Sequence, residues 1–466
     1  MNCYYFLNYM GDFRDMTTAF DKKNQITEGV IWRQLLIFFF PILIGTFFQQ
    51  LYNTVDTVIV GQFVGKEALA SVGGSSAQIV ALVVGFFTGL SSGASVTIAQ
   101  FFGAKDARNT NHGLHNAYAI AIAGGILFTV IGLLSAPALL NLMNTPAEIM
   151  HDSIIYLRVY FAGIIFVLIY NMGSAILRAT GDSRRPLYYL IICCAINIVL
   201  DALFVIVFHM GVLGAAVATL IAQAVSAALV TRRLIKSEGI LNLSPGQIRF
   251  HGQILKTQLK LGLPTGFESI LFAITNIAIQ ASINAFGTDT TAAWSAFGKL
   301  DAIFWMVSTA FGISITTFVG QNYGAGKLDR VRRSTRVCLL MDLAVSTVLV
   351  LVLIATRSLL FRLFTADADV IRIGCDMLVL IMPWYIVYVF IEVLAGALRG
   401  TGDVIVPVII TLLGVCVLRI IWLAVIMQIS PTIDSIIFSY PVTWVITALA
   451  FIGYYIVKNR KMKSPV

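Results

Sequence analysis

The chain has 466 residues, 58% hydrophobic and 12% charged, with a formal net charge of +9 and a mean hydropathy of +0.87. Soluble domains carry about 25% charged residues, so this composition excludes a water-exposed globular protein. The high apolar content, with only 11 Pro and six Cys, also excludes disordered and disulfide-framework chains and leaves a polytopic helical membrane protein.

In chain order, residues 1–30 are polar and mixed in charge (Asp12, Arg14, Asp21, Lys22, Glu28). They read as a cytoplasmic extension rather than a cleavable signal, because the apolar run that follows is long enough to span. A spanning helix needs about 20 mostly apolar residues. Such runs fall near 34–60, 68–98, 114–137, 153–176, 187–209, 211–233, 260–286, 290–320, 335–356, 372–398, 404–428 and 433–457. The predicted fold is therefore all-α, with twelve transmembrane helices. A polar connection at 234–259 divides it into six-helix lobes at 31–233 and 260–457, and a basic tail at 458–466 closes the chain. The cysteines lack C-x-x-C spacing and read as small hydrophobes.

Lysine and arginine test the count. With twelve spans, 25 of the 32 fall in segments on one side, four on the other and three (Arg158, Lys299, Arg419) within spans. That bias matches the positive-inside rule with both termini cytoplasmic. The basic balance is thus topology, and no nucleic-acid partner is expected.

The halves repeat at an offset of 221. Leu177-Arg178-Ala179-Thr180-Gly181-Asp182 before Pro186 pairs with Leu398-Arg399-Gly400-Thr401-Gly402-Asp403 before Pro407, and Gln100, Gly103 and Ala104 pair with Gln321, Gly324 and Ala325. Six spans per half give both repeats the same orientation. This predicts a pseudo-two-fold along the membrane normal with a substrate cavity between the lobes. The Leu-Arg-x-Thr-Gly-Asp segments read as helix C-termini with a cation near the negative end and a glycine turn.

Ionisable residues inside spans are costly and mark candidate sites. The first span carries Gln49, Asn53 and Asp56 on one face, the fifth Asn197 and Asp201, and the sixth Thr219 and Gln223. Two carboxylates, amides and a hydroxyl suit a hard cation such as Na+ or a shared proton; the alternative is an interhelical hydrogen-bond network. At the 221 offset these positions become Ile277, Leu418, Trp422 and Tyr440, so the set belongs to the first half. The second half carries Glu268, Lys299, Asp301, Glu392 and Arg419. Glu268 and Glu392 either face a cationic substrate or pair with Lys299 or Arg419, and aromatic residues including Trp305 either line an apolar pocket or pack. Pro41 invites a kink in the first span, static or responsive to binding at Asp56.

No phosphate loop, metal-ligand cluster or aspartate-rich transferase motif occurs. The expectation is a non-enzyme without a cofactor. Gln49-Gln50-Leu51-Tyr52-Asn53-Thr54-Val55-Asp56-Thr57 with Gly61, Asn197-Ile198-Val199-Leu200-Asp201, Gly214-Ala215-Ala216-Val217-Ala218-Thr219 and the two Leu-Arg-x-Thr-Gly-Asp segments resemble the multidrug and toxic compound extrusion (MATE) family of bacterial type, over residues 26 to 457. The resemblance implies two six-helix lobes and export of organic cations or amphipathic drugs, coupled to H+ or Na+ entry by alternating access. It places the coupling cation at Asp56, Asn197, Asp201 and Thr219, with bending at Pro41. Some branches instead stress second-lobe acids, and Glu268 resembles one such position. A monomer in the bacterial cytoplasmic membrane, in contact with lipid, is expected. A lipid-linked-precursor flippase of related fold is the alternative, although spans carrying only Arg158, Lys299 and Arg419 offer few cations for a diphosphate.

Overall fold

The computed structural model describes residues 25–461. Cys3, the charged residues of the extension before Gln25, and residues 462–466 of the basic tail lie outside the described residues. Among the described residues, twelve helices are long and apolar enough to cross a membrane: α1 (Ile31–Phe63), α2 (Lys66–Gly103), α3 (Ala107–Leu142), α4 (Ala147–Ala179), α5 (Arg184–Val207), α6 (Gly211–Ile235), α7 (Gly252–Asn284), α8 (Thr288–Gly324), α9 (Leu328–Arg362), α10 (Ala368–Gly400), α11 (Ile405–Ile429) and α12 (Ile433–Lys461). They coincide with the twelve apolar runs, and most are longer by polar turns that carry them past the apolar stretch.

Helix boundaries follow local chemistry. The Asp106 side chain accepts from the Asn109 amide at 3.0 Å to cap α3, and Asp367 accepts from the Asp369 and Val370 amides to cap α10. The two Leu-Arg-x-Thr-Gly-Asp segments end α4 and α10 in the same turn. The Asp182 amide donates to the Leu177 carbonyl at 2.8 Å and the Asp403 amide to the Leu398 carbonyl at 3.1 Å. Gly181 and Gly402 supply the positive φ that this turn needs, 93° and 86°. Two helices carry π turns, α5 at its end over Ala202–Val207 and α11 over Leu412–Val417, and α10 carries a 3-10 turn over Met382–Trp384.

The chain divides into two compact units. Among the described residues, the first comprises 25–28 and Phe40–Gly266, and the second comprises Gly29–Phe39 and 267–461. Helix α1 therefore begins in the second unit and continues in the first, while α7 begins in the first and continues in the second. The changeovers lie beside Pro41 and Pro264, each inside a continuous helix.

In the first unit, α2 and the start of α7 approach at backbone contact. Gly89 and Gly93 face Gly266 and Gly262, and a Cβ on either α2 glycine would overlap α7 backbone. Both helices thus carry glycines four residues apart on the contact face, the arrangement that lets helices in lipid approach closely. A Cβ at Gly262 would lie 2.7 Å from the Leu90 carbonyl oxygen, and backbone cannot yield as a side chain can. Gly262→Val is expected to destabilise the fold by about 3 kcal/mol, the upper end of ordinary overpacking. The check is loss of the monodisperse peak in detergent size exclusion, with Gly453→Val, at a glycine with no atom near its missing Cβ, keeping it.

The connection after α6 is packed rather than extended. Ile240 and Leu243 are buried in the first unit's main core cluster. Asn111 of α3 donates to the carbonyls of Ile240 and Asn242, and the Ser244 amide donates to His115 Nε2 at 3.0 Å. The His251 amide donates to Asn116 Oδ1, whose amide nitrogen in turn donates to Gln258. The His112 and His251 rings stack with centroids 4.2 Å apart. These contacts make the connection a strap fixed along the start of α3.

Candidate functional site

Asp56 of α1, Asn197 and Asp201 of α5 and Thr219 of α6 are all buried in the first unit, Asp201 at 0% exposure. Asn197 donates through Nδ2 to Thr219 Oγ1 at 3.4 Å. Asp56 and Asp201 lie close enough for their charges to interact. Asp56 Oδ1, Asn197 Oδ1 and both Asp201 carboxylate oxygens find no hydrogen-bond donor, and neither carboxylate forms an ion pair among the described residues. Val60, Val205, Val212, Ala215, Ala216 and Tyr156 form a single core cluster from the same helices and α4. The π turn begins at the residue after Asp201, where the Phe208 amide donates five residues back to the Leu203 carbonyl. Such turns widen a helix locally and recur at functional sites.

A bare carboxylate in an apolar enclosure is costly by several kcal/mol. Lone pairs without donors therefore call for a cation or a proton. The oxygen-only donor set suits a small hard cation. Among the described residues no cluster of three or more His, Cys, Asp and Glu side chains occurs, so a cation here would rely on the amide and hydroxyl oxygens together with the two acids.

The remaining sequence candidates separate from this group. Gln49 and Asn53 share the α1 face with Asp56 but are exposed, although Ile42 before them and Asp56 after them are buried; the hydroxyl of buried Tyr52 accepts from Gln223 at 3.4 Å. Pro41 is half-buried within continuous α1. In the second unit, Glu268 of α7 and Glu392 of α10 converge on Arg399, at 4.0 and 3.4 Å, rather than on Lys299, which is exposed, or on Arg419. Gly312 of α8 leaves the space that the Glu392 carboxyl fills. Asp301 accepts from Trp305 Nε1 at 2.9 Å and from the Tyr385 hydroxyl. Trp305 packs edge-on against Tyr388, centroids 4.7 Å apart. Arg419 donates to Thr443 at 2.9 Å and lies 3.9 Å from the Tyr440 ring centroid, a desolvated cation–π contact.

Two residues outside the sequence-based set belong with these. Arg399, assigned by its motif to a helix terminus, reaches back toward Glu392, seven residues earlier, and pairs with two acids. Asp342 of α9 is fully buried, accepts from the Ser346 hydroxyl at 2.9 Å, and keeps Oδ2 without a donor. Its signal, one acid within an apolar run, is the same that marks Asp56.

Comparison with known proteins agrees with the repeat. The MatE family model fits twice, over residues 41–203 and 264–426, and Pro41 and Pro264 head the two stretches. The probable multidrug resistance protein YoeA of Bacillus subtilis (strain 168) is 25% identical over 433 residues, 91% of this chain and 93% of that protein. The probable multidrug resistance protein YpnP of the same organism is 29% identical over 399 residues, 85% and 89% of the two chains. A solved outward-facing multidrug resistance MATE family transporter of the MOP superfamily superposes with a TM-score of 0.88 at 21% identity, covering 94% of this chain and 98% of that one; at that identity the likeness concerns the fold. With the family model matched across most of both halves, the chain belongs to the MatE family of multi-pass membrane transporters.

Proposed function

We propose that the protein is a secondary active efflux antiporter that exports organic cations or amphipathic drugs in exchange for H+ or Na+ by alternating access. The observation that carries this reading is the contrast between the two acid groups. Glu268 and Glu392 hold their own counter-charge in Arg399, whereas Asp56 and Asp201 have none and leave buried oxygens without donors. A site completed by an exchangeable cation binds it differently in two conformations and so couples its gradient to transport. Asp56, Asn197, Asp201 and Thr219 form that site. Asn53, on the same α1 face as Asp56, adds an amide to that site, and Gln49, Glu268, Glu392 and Trp305 serve the substrate. Pro41, beside the point where α1 passes from one unit to the other, is placed to let α1 bend.

The names of the relatives, probable multidrug resistance proteins, support drugs as the substrate class. The bias of lysine and arginine supports an orientation with both chain ends cytoplasmic, and a monomer in the plasma membrane is part of the same proposal. The gradient supplies the energy, and no prosthetic group or enzymatic step enters this mechanism.

The test is export of a fluorescent organic cation from proteoliposomes under a Na+ gradient or a pH gradient, imposed separately, with Asp56→Asn as the control. Export driven by either gradient and lost in the variant is expected, and the effective gradient names the ion. Export that persists undiminished in the variant would refute the coupling role of Asp56. Absence of export under both gradients would refute drug antiport.

A further inference from the structure

Arg419 of α11 is 3% exposed, and among the described residues no carboxylate pairs with it. The buried and half-buried acids of the second unit are engaged elsewhere: Glu268 and Glu392 with Arg399, Asp301 with Trp305 and Tyr385, Asp342 with Ser346, and Asp403 with Lys458. Asp434, early in α12, is exposed. The guanidinium lies over the Tyr440 ring and donates from Nη2 to Thr443 Oγ1 at 2.9 Å. Its Nε is buried and has no acceptor. A buried acid can take up a proton and become neutral, but an arginine does not lose its own in a protein. The ring faces share its charge without supplying the missing acceptor.

A second donor on the facing helix is also left over. Ser439 of α12 is fully buried, and its hydroxyl has no hydrogen-bond partner. A helical serine commonly turns its hydroxyl to the carbonyl four residues back. Here that carbonyl, of Ser435, already accepts from Trp422 Nε1 at 2.8 Å. Thr443 joins the two groups, since its hydroxyl accepts from Arg419 and donates to the Ser439 carbonyl at 2.7 Å.

The internal repeat sets this place against the acid group of the first unit. At the 221 offset Asp201 and Thr219 become Trp422 and Tyr440, the first one helical turn from Arg419 and the second beneath its guanidinium. Each group also abuts a π turn, which starts just after Asp201 in α5 and ends at Val417 in α11. The first unit thus holds buried acids that lack a cation, and the second a buried cation that lacks an acid.

We propose that the second unit binds a small monovalent anion between α11 and α12, held by Arg419 Nε and the Ser439 hydroxyl, with chloride as the simplest occupant. One charge balances one guanidinium, whereas a phosphate would bring a second charge that nothing there offsets. The paired N–H edge that suits a carboxylate is partly taken, because Thr443 holds Nη2; a spherical halide requires no such pair.

The test uses the full chain in detergent, with chloride titrated against gluconate, an anion too bulky for the site, at equal ionic strength. The thermal midpoint is expected to rise saturably with chloride in the wild type, by mass action. Ser439→Ala removes a hydroxyl that bonds nothing in the fold, so the variant stays folded, and its apparent chloride affinity should fall roughly tenfold. Arg419→Gln should abolish the response. Bromide soaked into crystals should give an anomalous peak beside Arg419 Nε. A rise with chloride alone identifies a halide, and a matching rise with acetate shows that a carboxylate fills the same place. Equal midpoints in chloride and gluconate, or a chloride response as strong in Ser439→Ala as in the wild type, would overturn the proposal.

Discussion

Asp201→Asn is expected to cut gradient-driven export by roughly 100-fold or more while leaving the protein folded and at least as stable to heat. The side chain is completely buried, and both carboxylate oxygens are without donors, so the fold gains no hydrogen bond from them. An amide of the same shape removes a buried charge that the surroundings do not compensate, a change that is neutral or stabilising in such settings. What it removes is an ionic ligand for the coupling cation. An interaction with a charged group contributes up to about 3 kcal/mol, and each 1.4 kcal/mol is a factor of ten in binding. Two measurements separate this from misfolding. The wild type should gain thermal stability from its coupling ion, by mass action, and Asp201→Asn should not; equilibrium binding of the exported drug should persist in both. Normal gradient-driven export by the variant would remove Asp201 from the mechanism.

Arg399→Gln is expected to produce the largest loss of stability in the second unit, about 3–5 kcal/mol, the range for removing one partner of a buried ion pair. The arginine is the cation shared by Glu268 and Glu392, and all three side chains are largely withdrawn from solvent, at 11% to 20% exposure. Without it, two acids remain near each other in an apolar surround. The triple variant Arg399→Gln/Glu268→Gln/Glu392→Gln replaces the group with neutral amides and should recover most of the melting temperature. A single variant that melts like the wild type would show that the two ion pairs add nothing to the fold.

These two groups also show how far a sequence can be read. Asp56, Asn197, Asp201 and Thr219 stand out because a polar side chain in lipid is expensive, and helical spacing then fixes which of them share a face. The structure brings those four together in one unit. Gln49 and Asn53 follow the same spacing, yet spacing cannot say which positions along a face are covered, and both are exposed between buried Ile42 and Asp56. Arg399 is hidden for a different reason. Its motif describes a local turn, which the structure contains as expected, but a long side chain leaving the last helical turn can point back along the axis, and its acids come from α7 and from α10 itself. The facing glycines of α2 and α7 are ordinary in composition, and their meaning lies in the partner helix, which only tertiary structure supplies. The twelve spans were legible because length and hydropathy are properties of each segment alone.

The changeover of α1 and α7 between the units bears on how such a chain can be divided. A fragment ending within the strap would contain α2 but lack Gly262 and Gly266, the backbone surface on which α2 lies. The complementary fragment would lack Phe38 and Phe39, whose rings meet Phe318 and Phe311 with centroids 6.1 and 4.1 Å apart. Although the halves share one repeated pattern, neither contains the whole of its unit. Each needs a stretch encoded by the other, so synthesis of both from a single message secures matched amounts of the two pieces as well as their connection.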